Sequence, residues 1–217
     1  MMINGTLTPR DTEDEWATLL GERGIIDPAP QRTFNAAYHR GELDLDAYFA
    51  WYATVLCAAP LADLERLRDE LVHERMLPSV PRVARDWIAE AQAESDAVLL
   101  VTASNWFLTE PFGRALGFTD TLGTKYALVD GHFSGERDGE PCFRAGKLHH
   151  VRTWLTARGA DFDALEHTTF FSDSHNDLPL LRAVDRPIAV DPDPELLREV
   201  RAEGWERRSL VQNDAAR

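Results

Sequence analysis

Five consecutive apolar residues, Ala97-Val98-Leu99-Leu100-Val101, run into Thr102 without a polar interruption. A strand with no alternation is buried on both faces, and a parallel sheet covered by helices provides that environment. The flanking sequence agrees. Helical spacing precedes the run at Val83, Trp87, Ile88 and Ala91 and follows it from about Asn105 to Leu116. Tyr126 to Phe133 carries Asp130-Gly131 between alternating flanks, a hairpin signal. Short apolar strands return at Thr168 to Phe171 and at Pro187 to Val190, with helices opening near Lys147 and spaced by Leu196, Leu197 and Val200. A last strand is expected over Ser209 to Val211. The second half of the chain therefore reads as α/β with a mostly parallel sheet.

The first third reads differently. Asp11 or Thr12 can cap a helix with an acidic first turn, on which Trp16, Leu19 and Leu20 share a face until Gly24. Phe34, Ala37 and Tyr38 mark a second helix that Gly41 closes. Leu45, Tyr48, Phe49, Tyr52 and Leu56 mark a third, and Leu61, Leu64, Leu67 and Leu71 a fourth. Pro78 and Pro81 bound this helical segment, whose aromatics are expected to form its own core. The expected division is residues 1–10 with 79–217 as an α/β core, and 11–78 as a helical subdomain.

Composition removes several classes of function. A formal charge of −14 disfavours a nucleic acid or acidic membrane as partner, because a phosphate backbone is held by Lys and Arg clusters that are lacking. Cys57 and Cys142 are too few for a disulfide framework or a cysteine metal site. No apolar run approaches the roughly 20 residues of a membrane span and no signal peptide opens the chain, so the expectation is a soluble cytoplasmic protein. No Gly-x-Gly-x-x-Gly follows a strand, which argues against a dinucleotide site. Of 23 basic residues only Lys125 and Lys147 are lysines.

Chemistry concentrates at strand ends. Ser172-Asp173-Ser174-His175-Asn176-Asp177 follows a buried strand and precedes Pro179, at the first turn of a helix. Taken alone, Ser174 or Asn176 caps that helix, or the two aspartates form a ligand loop. Beside Thr102 and Lys147 the second option gains weight. A hydroxyl and an ammonium suit phosphate oxygens, and paired carboxylates suit Mg²⁺, a hard cation that prefers oxygen ligands.

The order Asn4-Gly5-Thr6-Leu7, helical insert, hydrophobic strand ending in Thr102-Ala103-Ser104-Asn105, Gly146-Lys147, then Ser172 to Asp177 resembles the haloacid dehalogenase superfamily. Within it, the chain is similar to the phosphoserine-phosphatase-like branch with a helical cap. Pro141-Cys142-Phe143, Asp191-Pro192-Asp193-Pro194 and Gly204-Trp205 further resemble the bacterial phosphoserine or histidinol-phosphate phosphatase subgroup. The resemblance implies a Rossmann-like core and Mg²⁺-dependent hydrolysis of a small phosphorylated metabolite through an aspartyl-phosphate. One Asp attacks phosphorus while a second, two residues on, protonates the leaving oxygen and then activates water. It also implies that Thr102, Ala103, Lys147 and Asn176 bind phosphate, that Asp173 and Asp177 serve the metal, and that Glu13, Asp14 and Trp16 lie towards the leaving group. The first motif departs from the pattern. Aligning Gly5-Thr6-Leu7 puts Met2 at the nucleophile and Asn4 at the acid/base, and neither side chain can perform that role. Only Met1 precedes Met2, which implies a displaced start or a decaying first motif. The expected consequence is a sheet without its middle strand, with backbone unpaired and an apolar gap unless a substitute strand is found. The alternative to an enzyme is a non-catalytic phosphate- or metal-binding protein.

Overall fold

The computed structural model describes residues 1–40 and 42–211; Gly41, expected to close the second helix, lies outside them. Four helices open the chain: α1 (Thr12–Glu22), α2 (Ala29–His39), α3 (Leu45–Leu56) and α4 (Leu61–Glu70). Local chemistry sets their starts. The Asp11 carboxylate accepts from the Glu13 and Asp14 amides, both at 2.9 Å, and Asp44 accepts from the Ala47 amide at 3.0 Å. The helical path does not stop at Pro78. It widens to a π turn over Leu71–Met76 and closes through Leu77–Ser79, ending at Val80, which is extended as a residue before proline must be.

The α/β part follows as α5 (Arg82–Glu94), β1 (Leu99–Asn105), α6 (Trp106–Ala115), β2 (Asp120–Thr124), β3 (Tyr126–Val129), β4 (His132–Arg137) and α7 (Ala145–Thr156). It continues with β5 (Thr169–Ser172), a single turn at His175–Asp177, α8 (Leu178–Leu181), β6 (Arg186–Val190), α9 (Pro194–Glu203) and β7 (Glu206–Arg208). Strand β1 pairs in parallel with β2, strands β5, β6 and β7 form a second parallel group, and β3 with β4 is the expected antiparallel hairpin. Three strand assignments differ from the sequence reading. Strand β1 continues past Thr102 to Asn105; β2 carries no apolar run and forms because it pairs with β1; and the last strand is Glu206–Arg208 instead of Ser209–Val211. That last strand is a charged edge, where Glu206 pairs with Arg186 and Arg208.

The gap expected at the centre of the sheet is closed by three residues. The Met1 nitrogen donates to the Leu99 carbonyl at 2.8 Å, and the Val101 amide donates to the Met1 carbonyl at 2.9 Å, the alternation of a parallel ladder. On the other side, the Met2 amide donates to the Phe171 carbonyl at 3.1 Å. Met1–Ile3 thus stitches β1 to β5 and gives the spatial order β2, β1, stub, β5, β6, β7. Side chains alternate across it. Met1 and Ile3 join Leu100, Phe171, Ile188 and Val190 on one face, while Met2 joins Val101, Phe170 and Ala189 on the other.

The first face is covered by the opening helices. Trp16, Leu19, Leu20, Tyr52, Leu64, Leu67 and Leu71 belong to the same buried cluster as Ile3 and Leu100. The aromatics are therefore not a self-contained core: Trp16 meets Phe107 edge-on and Tyr52 lies against Tyr126 of the hairpin. Among the described residues, no single helix is long and apolar enough to cross a membrane.

Ile3 is fully buried in the slot. Truncation by Ile3→Ala is expected to cost about 2–5 kcal/mol in urea-unfolding stability. A loss below about 1 kcal/mol would mean that the segment drapes over the sheet instead of completing it.

Candidate phosphate site

The carboxyl ends of β1, the stub and β5 converge, and the loops that follow carry the residues singled out in the sequence. Gly5 turns the chain directly after the stub at φ +73°, and its missing side chain is required. A Cβ there would overlap the Asp173 carboxylate. Thr6 then donates its hydroxyl to Asp173 Oδ1 at 2.7 Å. Burial pushes the Asp173 carboxyl up to about 6.

Lys147, from the first turn of α7, and Asp177, ahead of α8, form an ion pair in which the side chains are 2% and 0% exposed. Asp177 has both oxygens engaged, one with the Lys147 ammonium and the other with the Ser172 hydroxyl at 2.6 Å. The remaining face of that ammonium meets the Met2 sulfur. Met2 thus occupies the expected nucleophile position, beside the lysine, and contributes a thioether there. Asn4, expected at the acid/base position, is engaged in structural hydrogen bonds. Its amide nitrogen donates to Asp11 at 2.7 Å and to the Ser104 hydroxyl at 3.3 Å, while its oxygen accepts from the Thr12 amide and hydroxyl at 3.2 and 2.9 Å. That side chain ties the loop after the stub to the start of α1.

The other expected phosphate ligands are disposed less directly. Thr102 is buried, and its hydroxyl accepts from the Ser104 amide at 3.1 Å; the Ala103 carbonyl accepts from the Thr124 hydroxyl at 2.7 Å. Neither is hydrogen-bonded to Lys147, Asp173 or Asp177 among the described residues. Asn176 is buried and bridges two elements. Its oxygen accepts from Arg144 Nε at 3.0 Å, and its nitrogen donates to the Tyr38 hydroxyl of α2 at 3.0 Å. Arg144, Ser172 and Tyr38 were not among the residues expected here. Arg144 lies within the quoted Pro141 to Lys147 segment, but arginines are generic in this chain and nothing marked this one.

For a hard divalent cation, the donor set is poor. Asp177 is saturated by Lys147 and Ser172, Asp173 keeps one oxygen beyond its bond to Thr6, and a thioether stands where a third hard ligand is needed. Among the described residues, no three His, Cys, Asp or Glu side chains come together to hold a metal ion. The arrangement does not fit Mg²⁺.

An acidic layer lies beside this site, between α1, α3 and the end of β1. Glu13 accepts from the Asn105 amide at 3.0 Å and from the Tyr48 hydroxyl, and Asp14 accepts from Gln31 at 2.9 Å and from Asn35. Burial pushes Asp11 up to about 6 and Glu13 up to about 8, with Asp11 adding like-charge repulsion at Glu13. The Tyr52 hydroxyl and the Asn105 side-chain amide are buried there as well.

Two measurements check these electrostatics. Because Glu13 is held above its ordinary 4.5, the folded protein keeps a proton that the unfolded chain has released. Stability from this group therefore falls as pH rises from about 4.5 to about 8. Thermal unfolding of Glu13→Gln should lose less Tm across that window than the unaltered protein, and equal slopes would refute the assignment. Lys147→Met leaves Asp177 buried without its cation, at an expected cost of about 3–5 kcal/mol, whereas Lys147→Met with Asp177→Asn should recover at least half of it in chemical denaturation.

Comparison with known proteins accords with the geometry. The family model described as haloacid dehalogenase-like hydrolase matches residues 3–182. A histidinol-phosphatase of Neisseria meningitidis is 31% identical over 208 residues, covering 94% of each chain. The phosphoserine phosphatase SerB1 of Mycobacterium tuberculosis is 34% identical over 158 residues, covering 72% of this chain and 50% of the relative, so the chain spans about half the length of that protein. Among solved structures, a protein of unknown function from Bordetella pertussis superposes with a TM-score of 0.90 at 34% identity, covering 97% of this chain and 96% of the other. A substrate-bound phosphoserine phosphatase superposes at 0.64 with 18% identity, covering 93% and 96%, a likeness of fold. A family model matched over residues 3–182 and a phosphatase relative aligned along 94% of each chain make this chain a member of the haloacid dehalogenase-like hydrolases, on the phosphatase side of that family.

Proposed function

We propose that this chain retains the frame with which its family holds a small phosphomonoester but does not hydrolyse it. One observation carries the reading: the Met2 sulfur lies on the Lys147 ammonium, at the position where the family's chemistry needs a carboxylate. Attack on phosphorus requires an oxyanion that can form an acyl phosphate, and a thioether has neither the charge nor the oxygen. The second half of the chemistry is equally lacking. An amide at Asn4 cannot deliver and retrieve a proton near neutral pH, and all of its hydrogen-bonding capacity is spent on Asp11, Ser104 and Thr12. The Lys147–Asp177 pair compensates internally the two charges that a phosphate and a magnesium ion would otherwise share. The Mg²⁺ dependence expected from the resemblance does not extend to this donor set.

The helical segment 11–78 is proposed to act as the cap over the ligand, supported by the Tyr38–Asn176 hydrogen bond between α2 and the loop after β5. Relatives named for histidinol phosphate and phosphoserine suggest an amine-bearing ester. The rings of Tyr48 and Tyr52, beside Glu13, supply the aromatic surroundings that an ammonium favours.

Hydrolysis of p-nitrophenyl phosphate with Mg²⁺ tests the reading. The unaltered protein should release no phosphate above the heat-denatured control, and turnover that vanishes in Asp173→Asn would overturn the inactive assignment. The double variant Met2→Asp, Asn4→Asp should gain hydrolysis, because it returns both carboxylates to the stub beside Lys147. A folded but inert double variant would count against the roles given to Thr102, Lys147 and Asp173.

A further inference from the structure

With its ammonium closed in by Asp177 and Met2, Lys147 is 1% exposed and presents no cation to an incoming anion. A chain of net charge −14 that holds a phosphoryl group needs another. Arg144 is three residues away, one turn back along the chain. It is exposed, and its Nε is anchored on Asn176 Oδ1 at 3.0 Å. That bond leaves both terminal nitrogens of the guanidinium as donors, and no carboxylate pairs with them among the described residues. Most other arginines here are already committed to acidic partners, as Arg75 is to Glu22 and Arg152 to Asp163.

The guanidinium borders an open depression in the surface. Arg144, His175, Asn176, Leu178 and Pro179 line a concavity of about 260 Å³. His175 is paired with Asp193 at 2.8 Å and Glu195 at 3.4 Å, so Arg144 is the uncommitted cation of this lining. The same Asn176 that fixes Arg144 also receives α2 through Tyr38, placing the guanidinium where helical segment and sheet meet. Its backbone stands at φ 51°, ψ −123°, a conformation that glycine adopts freely and an arginine does not.

We propose that Arg144 is the residue with which this chain captures the phosphoryl group of its ligand, offering its two terminal nitrogens as a fork to two phosphate oxygens. The proposal rests on the phosphate-site reading above and assigns the contact to a side chain outside the residues expected from the sequence.

Calorimetric titration of the full chain with inorganic phosphate tests it. The unaltered protein should bind, Arg144→Lys should bind more weakly because a point charge replaces the fork, and Arg144→Gly should lose about tenfold or more in Kd. Arg144→Gly should at the same time gain Tm, since glycine accepts the backbone angle, which separates lost contact from lost folding. Acetate at matched ionic strength should give no signal. Phosphate binding by Arg144→Gly within about twofold of the unaltered protein, no phosphate binding by the unaltered protein, or equal binding of acetate would each overturn the proposal. Arg144→Gly placed in the Met2→Asp, Asn4→Asp background should raise KM for p-nitrophenyl phosphate about tenfold. An unchanged KM there refutes Arg144 while the phosphatase frame stands. An inert background refutes the frame, and the phosphate titration of the unaltered chain still decides Arg144.

Discussion

Three residues hold two half-sheets together. Strands β1 and β2 form one parallel pair and β5, β6 and β7 another, and the backbone of Met1 and Met2 supplies the hydrogen bonds that join them. Because side chains alternate along an extended segment, the same residues also fill both faces, Ile3 towards the opening helices and Met2 towards α7, α8 and α9. The position of Gly5, and through it the approach of Thr6 to Asp173, follows from where that segment ends.

At the centre of the site, Lys147 and Asp177 form a buried ion pair. The lysine ammonium meets Asp177 and the Met2 sulfur atom. In the low-dielectric interior the pair is tolerable only because each group is hydrogen-bonded, and Ser172 completes Asp177. Asn4 spends its amide on the start of α1, through Asp11 and Thr12. Met2 and Asn4 thus both make contacts that hold the fold.

Much of the architecture was legible from local pattern. The apolar run at Val98–Val101, the Asp130-Gly131 turn and the helical spacing of Trp16, Tyr52 and Leu67 each state their element without help from distant residues. Strand β2 was not legible, because Asp-Thr-Leu-Gly-Thr has no apolar run and becomes a strand by pairing with β1. The charged β7 escaped for a related reason: its residues are stabilised by ion pairs across the sheet edge instead of burial.

Sequence alone determined the chemistry available to the chain: which side chains stand at the strand ends, among them Lys147, Asp173 and Asp177, with a methionine and an asparagine at positions 2 and 4. The tertiary structure decided how those side chains are used. Whether the stub completes the sheet, whether Lys147 faces a ligand or an aspartate, and whether Arg144 is paired or free depend on contacts between residues far apart in the chain, 169 positions for Met2 and Phe171. Composition and periodicity are local quantities and carry no information about such distances; burial and hydrogen bonding do, because each buried polar group must find its partner wherever the fold puts one.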